Sequence, residues 1–164
     1  MRRWHTAQFG MAVCLALTGI VWQTATAPAQ DADPLAGVAI EMIGSVEPEA
    51  NDGHALVMLR LTLDPGVEVA EHGHPGAVVL FVVSGEFETT FTTGNGQVTR
   101  GGNPATNEAV ELDTDLVLGA GDSVSYDHDA HHVMRNSGDE PLVLMATGIL
   151  AADQPGFIFV EATD

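Results

Sequence analysis

Gly66-Val67-Glu68-Val69-Ala70-Glu71-His72-Gly73-His74-Pro75-Gly76 is the stretch on which the reading of this chain turns. Residues two apart on an extended strand share a face. His72 and His74 therefore aim both imidazoles at one point, which is what a metal needs from a single strand. A second stretch, from Gly121-Asp122 to Asn136, carries His132, with Met134 and Asn136 on the same face. If the two strands adjoin inside one barrel, three imidazoles converge. Glu71 and His131 have the opposite parity and should point away. His128 lies in an Asp127-His128-Asp129 turn, and His54 stands alone before a strand. Both read as surface histidines.

Working outward, short apolar or alternating runs are broken by Gly, Pro, Asn and Asp. Strands are expected over Val38–Ile43, Ala55–Leu63, Gly66–Ala70, Val78–Val83, Phe87–Thr92, Leu116–Leu118, Ser123–Tyr126, His132–Arg135, Leu142–Ile149 and Phe157–Val160. None of these runs has helical length with a 3.6 period, and many are rich in Val, Thr and Phe. Closely spaced strands without intervening helices give an all-β sandwich or barrel. Residues Thr93–Asp115 break the rhythm with Gly94-Asn95-Gly96, Gly101-Gly102-Asn103-Pro104 and a group of acids. They read as a long connection, either a tolerated insertion or a lid over a barrel mouth.

The N-terminus reads as a targeting segment. Arg2, Arg3 and His5 precede an apolar run from Phe9 to Trp22, interrupted only by Thr18, and small residues follow up to Ala27-Pro28-Ala29. These are the three parts of a secretory signal peptide, expected to span residues 1–29 with cleavage before Gln30. The run is shorter than the roughly 20 apolar residues a membrane span needs, so no stable membrane association is expected after cleavage. Residues 30–37 read as an acidic linker and 38–162 as one domain. Cys14 is the only cysteine and would leave with the signal, so no disulfide is expected. All 23 acids fall after residue 30, against Arg60, Arg100 and Arg135, a net of −20 there with histidines neutral. Such a surface repels phosphate backbones, which excludes nucleic acid as a partner.

The two histidine stretches resemble the two motifs of the cupin superfamily. Gly66, His72, His74 and Gly85 match the first motif's glycine and His-x-His spacing, and Gly121, His132 and Asn136 match fixed positions of the second. With its flanking strands the likeness runs from about Val38 to Val160. It departs in three places: Val78 stands at the first motif's glutamate, Asp127 at the second motif's proline and Asp129 at its glycine. The resemblance implies a single jelly-roll β-barrel. In this chain it would hold a divalent transition metal on His72, His74 and His132. Three neutral imidazoles without a carboxylate suit Fe, Zn, Cu or Ni better than Mn.

Val78, Leu80, Val82, Tyr126 and Met134 are expected to line an apolar cavity around that centre, while Val79, Phe81 and Val83 read as packing. The resemblance further implies a small-molecule ligand and dioxygenase-like chemistry, as in three-histidine cupins that act on thiols and diketones. Tyr126 is a candidate base by proximity only. The alternative is a non-enzymatic or metal-free binding module. Cupins often pair through edge strands, so a homodimer is implied as well, against which the net charge acts at low salt.

Overall fold

A computed structural model describes residues 33–51 and 53–161, which fall in one compact unit. The expected signal segment 1–29, Cys14 and the domain boundary at Ala162 lie outside the described residues. The elements are β1 (Val38–Val46), β2 (His54–Leu63), β3 (Glu68–Gly73), β4 (Gly76–Ser84), β5 (Phe87–Thr93) and β6 (Gly96–Thr99). They continue as β7 (Glu108–Ala109), β8 (Asp115–Leu118), β9 (Ser123–Tyr126), β10 (His131–Asn136), β11 (Leu142–Ala151) and β12 (Ile158–Phe159). Apart from two short 3-10 turns, Arg100–Gly102 and Pro104–Thr106, no helix occurs among the described residues. Two antiparallel sheets result, ordered β1-β2-β11-β4-β9-β6-β7 and β12-β3-β10-β5-β8. The fold is an all-β jelly roll.

The core follows from period two. On β11, Leu142, Leu144 and Ala146 turn inward, opposite Val82 and Leu80 of β4 and Leu63, Leu61 and Leu59 of β2. Phe87, Phe91, Leu118 and Met134 close the core from the smaller sheet. The expectation that Val79, Phe81 and Val83 pack inside fails: they are 45, 41 and 45% exposed on the outer face of β4. The run Val78–Val83 is apolar throughout, so its composition carries no parity, and the sheet's register decides which residues turn outward.

The long connection also differs from its reading. Gly96–Thr99 forms β6, paired residue for residue with β9 from Gly96↔Tyr126 to Thr99↔Ser123. Val98 is buried in the core and Val110 packs against it. A four-residue strand bounded by glycines has too little pattern to be seen in sequence. None of residues 93–115 lines the histidine cavity described below; Asn95, Gly96, Gln97, Ala109 and Val110 line an open groove that shares Val78, Thr147 and Gly148 with it.

Two motif residues serve the frame. Gly85 sits at φ 86°, and a Cβ there would meet Leu142 Cα at 2.8 Å, so only glycine fits the β4–β5 turn. Asn136, wholly buried, donates through Nδ2 to the carbonyls of Leu63 (3.1 Å) and Glu140 (2.9 Å), while its Oδ1 accepts from Gly138 N–H (3.1 Å). One amide thus ties the end of β10 to β2 and to the turn before β11. Asn136→Ala would strand a buried carbonyl of the core, at a cost of about 2–4 kcal/mol. Urea denaturation of the metal-free protein should show that loss as a lower midpoint.

Candidate metal centre

The centre is built where β3 and β10 pair. His132 stands opposite His72 in the register, so two inward imidazoles lie side by side, with ring centroids 4.5 Å apart. His74 reaches the same point by a different route from the one expected. β3 ends at Gly73, and His74 occupies the turn into β4. Its ring is held there by the Gly156 carbonyl, 2.7 Å from Nδ1, and by Phe157, whose ring centroid is 5.3 Å away. The strap between β11 and β12 therefore completes the site. One ring nitrogen from each of the three histidines lies within 4.8 Å of the others, and all three residues are buried.

The tautomers follow from the partners. The Ala70 carbonyl lies 2.8 Å from His72 Nδ1 and the Gly156 carbonyl faces His74 Nδ1. A carbonyl only accepts, so both Nδ1 atoms carry protons. Thr89 donates its hydroxyl proton to Val133 O (2.8 Å), so its oxygen accepts from His132 Nδ1 at 3.0 Å. Every Nε2 is consequently a bare lone pair. His72 Nε2 is buried with no hydrogen-bond partner. His74 and His132 Nε2 face each other at 3.4 Å with no proton left to share between them. Among the described residues the only donor into the cluster is the Tyr126 hydroxyl, 3.1 Å from His132 Nε2. Three convergent lone pairs with one donor among them form a cation-accepting set, and the residues present fit a metal.

Burial keeps these rings neutral. It lowers His72 to a pKa of about 4, partly offset by the Ala70 hydrogen bond and reinforced by the neighbouring His74 and His131. Burial lowers His74 as well, and pushes His132 well below the ordinary value, with His72, His74 and His131 adding repulsion. Tyr126 is raised by burial, which favours the neutral phenol.

An enclosed cavity of about 40 Å³ adjoins the three rings. Val78, Leu80 and Met134 line it, as do Leu59, Leu61, Ala146 and Phe157. Val82 is buried deeper in the core and Tyr126 meets His132 from outside this lining. Leu59 and Leu61 are not legible in the sequence because nothing in an aliphatic run distinguishes a cavity wall from core. No carboxylate joins the histidine cluster among the described residues, and Val78 is part of the cavity wall. Glu71 is held on the opposite face, accepting from Thr92 at 2.5 Å. His128 is exposed, whereas His54 and His131 are half-buried and belong to no metal-ligand group. The three described arginines all pair with carboxylates elsewhere: Arg60 with Glu41, Arg100 with Asp122, and Arg135 with Glu68 and Glu88.

A protein-family model for the cupin domain matches residues 59–148, more than half of the chain. Among solved structures, an oxalate oxidase in complex with the substrate analogue glycolate is 21% identical, with a TM-score of 0.50 over 84% of this chain and 62% of that one. A cupin superfamily protein from Desulfitobacterium hafniense DCB-2 is 13% identical, covering 69% of this chain and 77% of that one at a TM-score of 0.47. An oxalate decarboxylase of Bacillus subtilis with Mn(II) centres is 20% identical, covering 76% of this chain and 28% of that one at 0.49. The chain thus spans less than two thirds of either oxalate enzyme, and at these identities the likeness concerns the fold. No curated protein matches the sequence.

Because the folded state holds His72 neutral while the unfolded chain protonates near pH 6.5, unfolding takes up protons between those values. The metal-free protein should therefore keep its full stability above pH 6.5 and lose it as pH falls toward 4, by about 3 kcal/mol for this group alone. Denaturant midpoints at pH 7 and pH 5, compared with those of His72→Asn, check the sign and the assignment.

Proposed function

The chain belongs to the cupin family, and on that premise we propose that it binds a divalent transition metal through His72, His74 and His132 and a small molecule in the adjoining cavity, with dioxygenase-like chemistry. The observation that carries this reading is the set of three buried Nε2 lone pairs, each fixed by a protein acceptor on Nδ1. A metal on three imidazoles supplies open positions where substrate and an oxidant are held side by side and polarised. Fe, Zn, Cu and Ni suit this donor set, and the absence of a carboxylate argues against Mn.

The chain's own residues narrow the substrate. The wall is aliphatic and aromatic, and no arginine faces it. Lysine is absent from the sequence. A dicarboxylate would enter without a cationic partner and leave its water behind, at a cost of several kcal/mol per charge. A neutral, largely apolar molecule meets no such penalty. The cavity has room for about two or three water-sized groups by volume. An open groove of about 450 Å³, lined also by Ile40, Met42 and Gln154, shares Val57, Leu59, Leu150, Gly156 and Phe157 with it. A larger substrate would place its reacting end in the cavity and its body in this groove.

A non-enzymatic binding module is favoured by one observation: apart from the histidines, no acidic or basic side chain lines the cavity. The experiment is to strip the purified protein of metal and titrate it with Fe(II), Zn(II), Cu(II) and Ni(II), then test the Fe(II) form on thiols, diketones and aromatic compounds. Tight uptake is expected, abolished by His74→Ala and weakened about 10- to 100-fold by Thr89→Val, which removes the acceptor that fixes His132. Absence of uptake sinks the metal reading. Uptake without turnover across the panel leaves the binding module.

We also propose export, with removal of residues 1–29, from the basic start and short apolar run; the homodimer implied by family belongs to the same set of expectations. Mass spectrometry of the protein from its host should find Gln30 at the N-terminus, and a chain beginning at Met1 would refute export by cleavage.

A further inference from the structure

Among the described residues, Tyr126 is the only side chain other than the histidines that makes a hydrogen bond to the Nε2 cluster. It ends β9, opposite Val78 of β4 and Gly96 of β6, and is buried. Phe91 packs edge-on against its ring at 5.2 Å, with the His132 and His74 rings at 5.0 and 5.7 Å. With the ring held on these sides, the freedom left to the hydroxyl is rotation about its C–O bond. Its hydrogen-bond partner is the Nε2 lone pair of His132. That is the lone pair a metal would take, on the reading given above, which this inference rests on. The phenol would then stay buried beside the centre without its acceptor, an arrangement that costs free energy until another acceptor arrives.

We propose that Tyr126 is a positioning residue for the ligand that comes to the metal from outside, donating a hydrogen bond to an ionised oxygen, sulfur or nitrogen atom bound beside His132. The cavity's aliphatic wall and this single donor, which lies outside the cavity lining on the groove that shares Val78 with it, would act on different parts of the ligand. Together they select a molecule with an apolar body and one ionised donor atom. A dianion would leave its second charge unpaired against Leu59, Leu80 and Met134. The phenol donor also compensates in part for the carboxylate missing at Val78: it contributes no charge to the metal, but it stabilises negative charge on the incoming atom.

Azide bound to the Co(II)-loaded protein tests this, read by visible absorption and by the infrared stretch of bound azide. Tyr126→Phe should take up Co(II) as well as the unchanged protein or more tightly, because only the metal-free state loses a hydrogen bond. Its azide affinity should fall about tenfold. In the unchanged protein the azide stretch should shift between H2O and D2O, and in the variant it should not. Equal azide affinities, or a band in the unchanged protein that ignores D2O, would overturn the proposal. Loss of Co(II) from the variant would overturn it too, by making Tyr126 a ligand or a structural prop. Failure of the unchanged protein to take up Co(II) is a separate outcome, which ends the metal reading itself.

Discussion

Three acceptors on the far side of three imidazoles constrain everything else at the centre of this molecule. Two carbonyls, from Ala70 and Gly156, and the Thr89 hydroxyl each claim an Nδ1 proton. The imidazoles have no tautomer left to choose, and their remaining lone pairs are brought toward one another in the buried interior. Lone pairs at 3.4 Å repel, and a buried acceptor without a donor is unfavourable. The fold tolerates that tension because the surrounding core is well packed. Sites that break local rules in this way are usually those where function resides.

The sheet geometry supplies the accuracy such a site needs. β10 runs between β3 and β5, so His132 is fixed on one side by its register partner His72 and on the other by Phe91, whose ring stacks on it at 5.1 Å. Asn136, four residues further along the same strand, anchors that strand to the core through its amide. The second motif thus combines a site residue with the residue that holds its strand in place. Val78 gives the site a hydrophobic wall, and no carboxylate joins the three histidines among the described residues.

Much of this could be read from the chain, and the parts that could not have physical reasons. Histidines two apart between glycines, and a third set between Gly121 and Asn136, are rare enough in composition and spacing to be informative. The strands flanking them alternate clearly, as in Phe87–Thr92. Val79, Phe81 and Val83 were misplaced because a wholly apolar run has no visible face until its neighbours set the register. β6 was missed because four residues between glycines offer no period to measure. His74 joins the cluster although it lies past the end of its strand, because a turn anchored by Gly156 brings its ring to the same place. That anchor is 82 positions away in the chain, beyond the reach of any local pattern. Phe157 was hidden for the same reason.

The distance between His74 and the Gly156 carbonyl bears on when such a centre can come into being. The three histidines and their orienting partners extend from residue 70 to residue 156, and the last of them belongs to the connection between β11 and β12, the last two strands described. A nascent chain has no preformed cradle, since neither His-x-His alone nor the later strand alone fixes more than two of the rings. Closure of the last strap is what finishes the coordination sphere. If the centre takes a metal, as proposed above, the ion would be set by the pool around the molecule once that strap has closed.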